Sequence, residues 1–125
     1  MRRLGPLLGA AFVCAAVLIL LGSRRLARVA VSGHSMEPAL LDGDWLLVDR
    51  CSKPAPTDIV VAWDPRASDR LIVKRVREVG TDSQLLLESD HPAHADEVIG
   101  PVAASAIVGR ALFRYWPAAR AGVVH

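Results

Sequence analysis

The sequence predicts a mainly β fold, a compact β domain preceded by one N-terminal transmembrane helix. Three observations predict it. Short runs rich in Val, Ile and Leu are separated by turns bearing Gly, Pro and Asp. No long amphipathic helical pattern interrupts those runs. Leu4 to Gly22 is a run of 19 residues without a charged side chain, long enough for a helix to cross a hydrocarbon core. A chain of 125 residues suits one domain. The expected division is residues 1–28 as a membrane anchor with basic flanks and residues 29–125 as the β domain.

The elements follow in order. Arg2 and Arg3 precede the apolar run, and Arg24, Arg25 and Arg28 follow it. A cleaved signal peptide has a shorter apolar core, so a retained single-pass anchor in the cell membrane is the reading taken. A lipoprotein signal at Cys14 is disfavoured by Phe12 before Val13. The two flanks carry about equal positive charge, so the positive-inside rule does not orient the chain. Val29 to Ser32 should form the first strand, and Trp45 to Asp49 the second. Between them lies a loop with a helical turn at Pro38 to Leu41, since Pro suits a first helical position. Ile59 to Trp63 and Arg70 to Val79 read as strands around a turn at 64–69. Gly80 to Ser83 closes a hairpin with Gln84 to Glu88. Asp90 to Glu97 is a polar loop, and Ile107 to Trp116 a last strand.

Charge excludes one class of partner. Five of the 15 Lys and Arg residues flank the apolar run, leaving ten against 13 acids beyond Arg28. That part has no basic stripe, so nucleic acid is not an expected partner. The flanking arginines suit lipid head groups, and membrane lipid is an expected partner. Cys14 and Cys51 lie in different parts and form no disulfide framework. Cys51, beside Arg50, reads as an ordinary thiol rather than a nucleophile. Nothing in the sequence signals an oligomeric state.

The chemistry centres on Gly33 to Asp44, Gly-His-Ser-Met-Glu-Pro-Ala-Leu-Leu-Asp-Gly-Asp. Gly33 permits a positive φ, Pro38 keeps Glu37 extended, and Asp42-Gly43 marks a turn. Ser35 is thereby presented on a constrained loop. A serine needs an adjacent base. In the strand Arg70 to Val79, period-two alternation puts Ile72, Lys74 and Val76 on one face, with Leu71, Val73, Arg75 and Arg77 on the other. A lysine between apolar neighbours is desolvated, its pKa falls, and the neutral amine can take the serine proton.

Ser35-Met36-x-Pro38 with Gly43-Asp44, followed by Lys74-Arg75-Val76, resembles the signal peptidase I (S26) family of Ser-Lys serine proteases. The variant is most like its small nickel-type superoxide dismutase maturation subgroup. The third motif of that family would fall on Ser89-Asp90-His91, Ala95-Asp96-Glu97, Gly100-Pro101-Val102 and Val108 to Ala111. The resemblance implies a signal-peptidase-like β domain, outside the cytoplasm, that removes an N-terminal segment from a precursor protein. It implies Ser35 as nucleophile, Lys74 as general base and the Ser35 backbone amide as an oxyanion donor. Gly33 stands where many relatives carry a hydroxyl, so a side-chain donor is missing there. Met36, Pro38, Gly43, Asp44, Ser89, Asp90 and Asp96 are the supporting positions. Ala95 replaces a serine that would orient the lysine, leaving Ser89 as the candidate for that task. No cofactor or metal is expected; His91 and His94 near Asp90 and Asp96 form an incomplete ligand set. The alternatives are a self-cleaving regulator, which lacks a preceding DNA-binding helix pair, and a non-catalytic anchored module with a degenerate third motif.

Overall fold

A computed structural model describes residues 24–125 of the chain. The apolar run Leu4–Gly22 lies outside the described residues, and among the described residues no helix is long and apolar enough to cross a membrane. Eight strands form the fold: β1 (Leu26–Ala30), β2 (Trp45–Asp49), β3 (Ile59–Asp64), β4 (Ala67–Val79), β5 (Leu85–Glu88), β6 (Val98–Val102), β7 (Ile107–Trp116) and β8 (Gly122–Val123). They make one antiparallel sheet in the order β1-β2-β7-β3-β4-β5-β6, with β8 added on β7. Only short 3-10 turns punctuate the described strands.

The sheet carries two aliphatic cores on opposite faces, and β3 serves both. Ile59 and Val61 pack with Leu46, Val48, Ala111 and Met36. Val60 and Ala62 pack with Ile72, Val76, Leu85 and Leu87. A central strand covered on both faces has no polar alternation to show, which is why Ile59 to Ala62 is uniformly apolar and buried. At Gly109 the strands β2 and β7 approach closely. A Cβ there would lie 2.3 Å from the Asp49 carbonyl oxygen, so only glycine fits.

β2 and β7 have the expected bounds, and the others depart from expectation in instructive ways. β1 begins at Leu26, so Arg28 belongs to the sheet rather than to the basic flank. β4 begins at Ala67 because the 64–69 turn is tighter than its polar sequence suggests. Pro38 to Leu41 is not a helix but a turn, closed by the Leu40 N–H donating to Met36 O at 2.9 Å. β6 was unexpected. Its Val98, Ile99 and Val102 flank Gly100-Pro101, residues that normally weaken a strand, yet Leu87 pairs with Ile99 and Leu85 with Val102.

Candidate active site

The Ser35 loop is pinched at its base. Val31 N–H donates to Asp44 O at 2.7 Å and Gly43 N–H to Val31 O at 2.8 Å. Gly33 takes φ +93°, a left-handed conformation that side chains resist, and its N–H donates to Asp42 Oδ1 at 2.8 Å. Met36 and Leu40 are plugged into the first core. Asp44 is buried and accepts from Leu41 N–H at 2.8 Å, Arg114 at 3.3 Å and Arg120. The supporting positions Gly43 and Asp44 thus belong to the neck of the loop, Met36 to its anchor, and Pro38 to its exposed outer bend. Ser35 sits half-buried between exposed His34 and buried Met36.

Lys74 is 6% exposed, on the same face as Ile72 and Val76, and pairs across to Val60. Its Nζ donates to Ser89 Oγ at 2.9 Å. Strand register explains this bond. Arg75 pairs with Glu88 and Val76 with Leu87, so one further antiparallel step sets Lys74 opposite residue 89. Arg75 points the other way and grips Asp90 with two hydrogen bonds of 2.7 and 2.6 Å. His91 N–H donates to Ser35 O at 2.9 Å. One short segment, Ser89-Asp90-His91, therefore ties the lysine strand to the serine loop. Burial pushes the Lys74 amine below its ordinary 10.5; Glu97 and Asp64 oppose that, while Arg66 and Arg70 reinforce it.

Ser35 and Lys74 line one cavity of about 400 Å³ with Val29 to Ser32 and Arg70 to Val73. The hydrogen bond of the amine goes to Ser89, and what Ser35 and Lys74 share is the wall of this cavity. Arg66 and Arg70, also on its wall, belong to a network that sequence reasoning missed. Asp64 is fully buried and accepts from Arg66 Nε at 3.0 Å, Arg66 N–H at 2.8 Å and Arg70. Arg66 also reaches Glu97 at 2.7 Å. The Arg66 guanidinium holds the Asp64 carboxyl well below its ordinary range. The only available signal was an acid at the end of an apolar run, with arginines two and six residues on.

In the third motif, Asp96 is exposed, and the loop is braced by ion pairs of Asp90 with Arg75 and of Glu97 with Arg66. His91 and His94 stack edge to face at 5.7 Å, and His91 Nδ1 accepts from Ala93 N–H. Among the described residues, no group of three or more His, Cys, Asp or Glu side chains is arranged to hold a metal ion. Cys51 is free and exposed.

The family model of Peptidase S24-like proteins matches residues 13–112, a span that contains Ser35, Lys74 and Ser89. The chain belongs to the Peptidase S24-like family. This corrects the resemblance to signal peptidase I and its nickel-type superoxide dismutase maturation subgroup. The correction removes the special expectation of a nickel-enzyme precursor. Membership in the Peptidase S24-like family supports a serine peptidase kind of activity for this chain.

Proposed function

We propose that the chain is a serine endopeptidase in which Ser35 is the nucleophile and Lys74 the general base. The observation that carries the reading is a buried lysine, hydrogen-bonded to Ser89, on the wall of the cavity that holds a half-buried serine. A neutral amine that donates one hydrogen to Ser89 keeps its lone pair for the Ser35 proton. Ser35 Oγ then attacks the scissile carbonyl, the Ser35 N–H stabilises the oxyanion, and the Lys74 ammonium returns the proton to the leaving amine. Water hydrolyses the resulting ester by the same proton route.

The cavity favours an extended protein substrate. Among the described residues β1 pairs only with β2, which leaves one edge of Val29 to Ala30 without a strand neighbour there. Among the described residues β4 pairs with β5 only from Arg75 onward, so Arg70 to Val73 lack a strand neighbour on the side away from β3. Both stretches line the cavity. An extended segment can add to such edges through backbone hydrogen bonds. We further propose that Leu4–Gly22 tethers the enzyme to a membrane, supported by its 19 uncharged residues and basic flanks. The substrate on this reading is a precursor protein cut in an extended segment.

The test is cleavage of a peptide library by the full chain in detergent, with Ser35→Ala and Lys74→Ala alongside. Each variant is expected to lose all cleavage while keeping the melting transition of a folded β domain. Full activity in either would overturn the reading. Cleavage within the chain itself would appear as a rate independent of protein concentration.

A further inference from the structure

Aromatic side chains usually dominate protein cores. Here both cores are aliphatic, and no aromatic residue among those described is buried. Most of them gather on one surface. Trp45, at the start of β2, is 40% exposed and pairs with Trp116 on β7, which is 56% exposed. The Trp45 and Tyr115 rings lie 6.3 Å apart, and Arg28 joins these three in lining one shallow depression. Leu47 extends the surface, flanked by Arg28 on β1 and Phe113 on β7. Beside Phe113, Val123 on β8 is 64% exposed.

The opposite face of the same strands, with Leu46, Val48 and Ala111, is the first core. A solvated antiparallel sheet alternates apolar-in and polar-out. β2 and β7 instead carry apolar side chains on both faces, so the outer one needs a cover. The place where the chain enters the sheet says which. Gly22 ends the apolar run and Leu26 begins β1, the strand at the edge of this face. Four residue steps reach at most about 14 Å. Trp and Tyr are the side chains that settle at head-group level, apolar body inward and polar tip wet. Arg28 can extend its guanidinium to lipid phosphate from the rim.

We infer that the outer face of β1, β2 and β7, centred on Trp45, Tyr115 and Trp116, lies against the head-group region of the bilayer that holds Leu4–Gly22. The inference rests on the membrane tether proposed above and not on the Ser35–Lys74 chemistry. The full chain, reconstituted into phosphatidylcholine–phosphatidylglycerol vesicles with or without brominated acyl chains, tests it through tryptophan emission. Trp63→Phe leaves Trp45 and Trp116 as reporters, and the double variant Trp45→Phe/Trp116→Phe leaves Trp63, which pairs with Leu71 elsewhere on the sheet. The first variant is expected to lose emission to brominated lipid and resist aqueous iodide, and the second to do the reverse. Ser35→Ala added to either should change nothing, which separates this outcome from failure of the dyad.

Three results would overturn the inference. The first is vesicle-bound protein whose Trp45 and Trp116 emission ignores brominated lipid, which means water, a second copy or the chain's own residues meet that face. The second is equal quenching of Trp63. The third is failure of the full chain to float with the vesicles, which removes the tether as well.

Discussion

Burying an amine is costly, and on the proposed reading Lys74 bears that cost for chemistry. Burial lowers its pKa below 10.5, so between the folded value and 10.5 the unfolded chain binds more protons, and stability rises with pH across that window. Below 10.5 the folded chain therefore bears a cost for burying this amine. Lys74→Met should therefore melt a few degrees above the parent at pH 7, with the gap shrinking as pH approaches 10.5, and should be inactive. Calorimetry at both pH values checks this. Ser89→Ala removes the one acceptor that aims the amine. Its kcat should fall by about tenfold or more with KM little changed, since acid–base catalysis depends on orientation. Ser89→Thr, which keeps the hydroxyl, should recover much of the loss. The constrained loop around Ser35 and the buried face of Lys74 were legible because turn chemistry and strand alternation are local, whereas the Lys74–Ser89 contact depends on pairing between β4 and the chain after β5.

At the scale of elements, the site is a loop held against two strands. Asp44 joins the loop neck to β7 and to the 3-10 turn at Ala118–Arg120. Asp44→Ala leaves the Leu41 N–H and two guanidiniums short of a partner. The expected cost is roughly 1–3 kcal/mol, with a larger loss of kcat than of KM as Ser35 loses its fixed position. Urea unfolding and peptide kinetics read the two effects separately. What the sequence hid at this scale was pairing. β6 breaks the expected pattern at Gly100-Pro101, and its place is secured by partners on β5 that lie 10–17 residues upstream. The Asp64 network was hidden for the same reason. Its burial depends on β3 ending where Arg66 and Arg70 can turn back over the carboxylate, and on Glu97 arriving from the loop before β6. No local period encodes that meeting.

Among the described residues, three buried carboxylates, Asp44, Asp49 and Asp64, are each locked by arginine. Arg25 and then Ser52 hold Asp49 well below its ordinary range, as Arg66 and Arg70 hold Asp64. A depressed carboxyl pKa contributes stability that is present above the unfolded value of 3.8 and lost as pH falls through the folded one. The domain should thus lose stability steadily below about pH 4. Asp49→Asn/Asp64→Asn should be less stable at pH 7 and show a shallower acid slope, which acid-titrated melting curves would record. The family could not be settled from motifs. The serine and lysine stretches describe a chemistry that related folds share. The residues between Ser89 and Glu97 depart from the signal peptidase I pattern, and the family match spans residues 13–112 rather than any one motif.

The central claim is that the buried amine of Lys74 activates Ser35. It is tested most directly by mapping, with peptide mass spectrometry, where a serine-acylating probe attaches to the full chain across a pH series. The account predicts one adduct, on Ser35, forming faster as pH rises towards a plateau reached below pH 10.5, and none in Lys74→Met. An adduct elsewhere, or Lys74→Met labelling Ser35 at the parent rate, would contradict it.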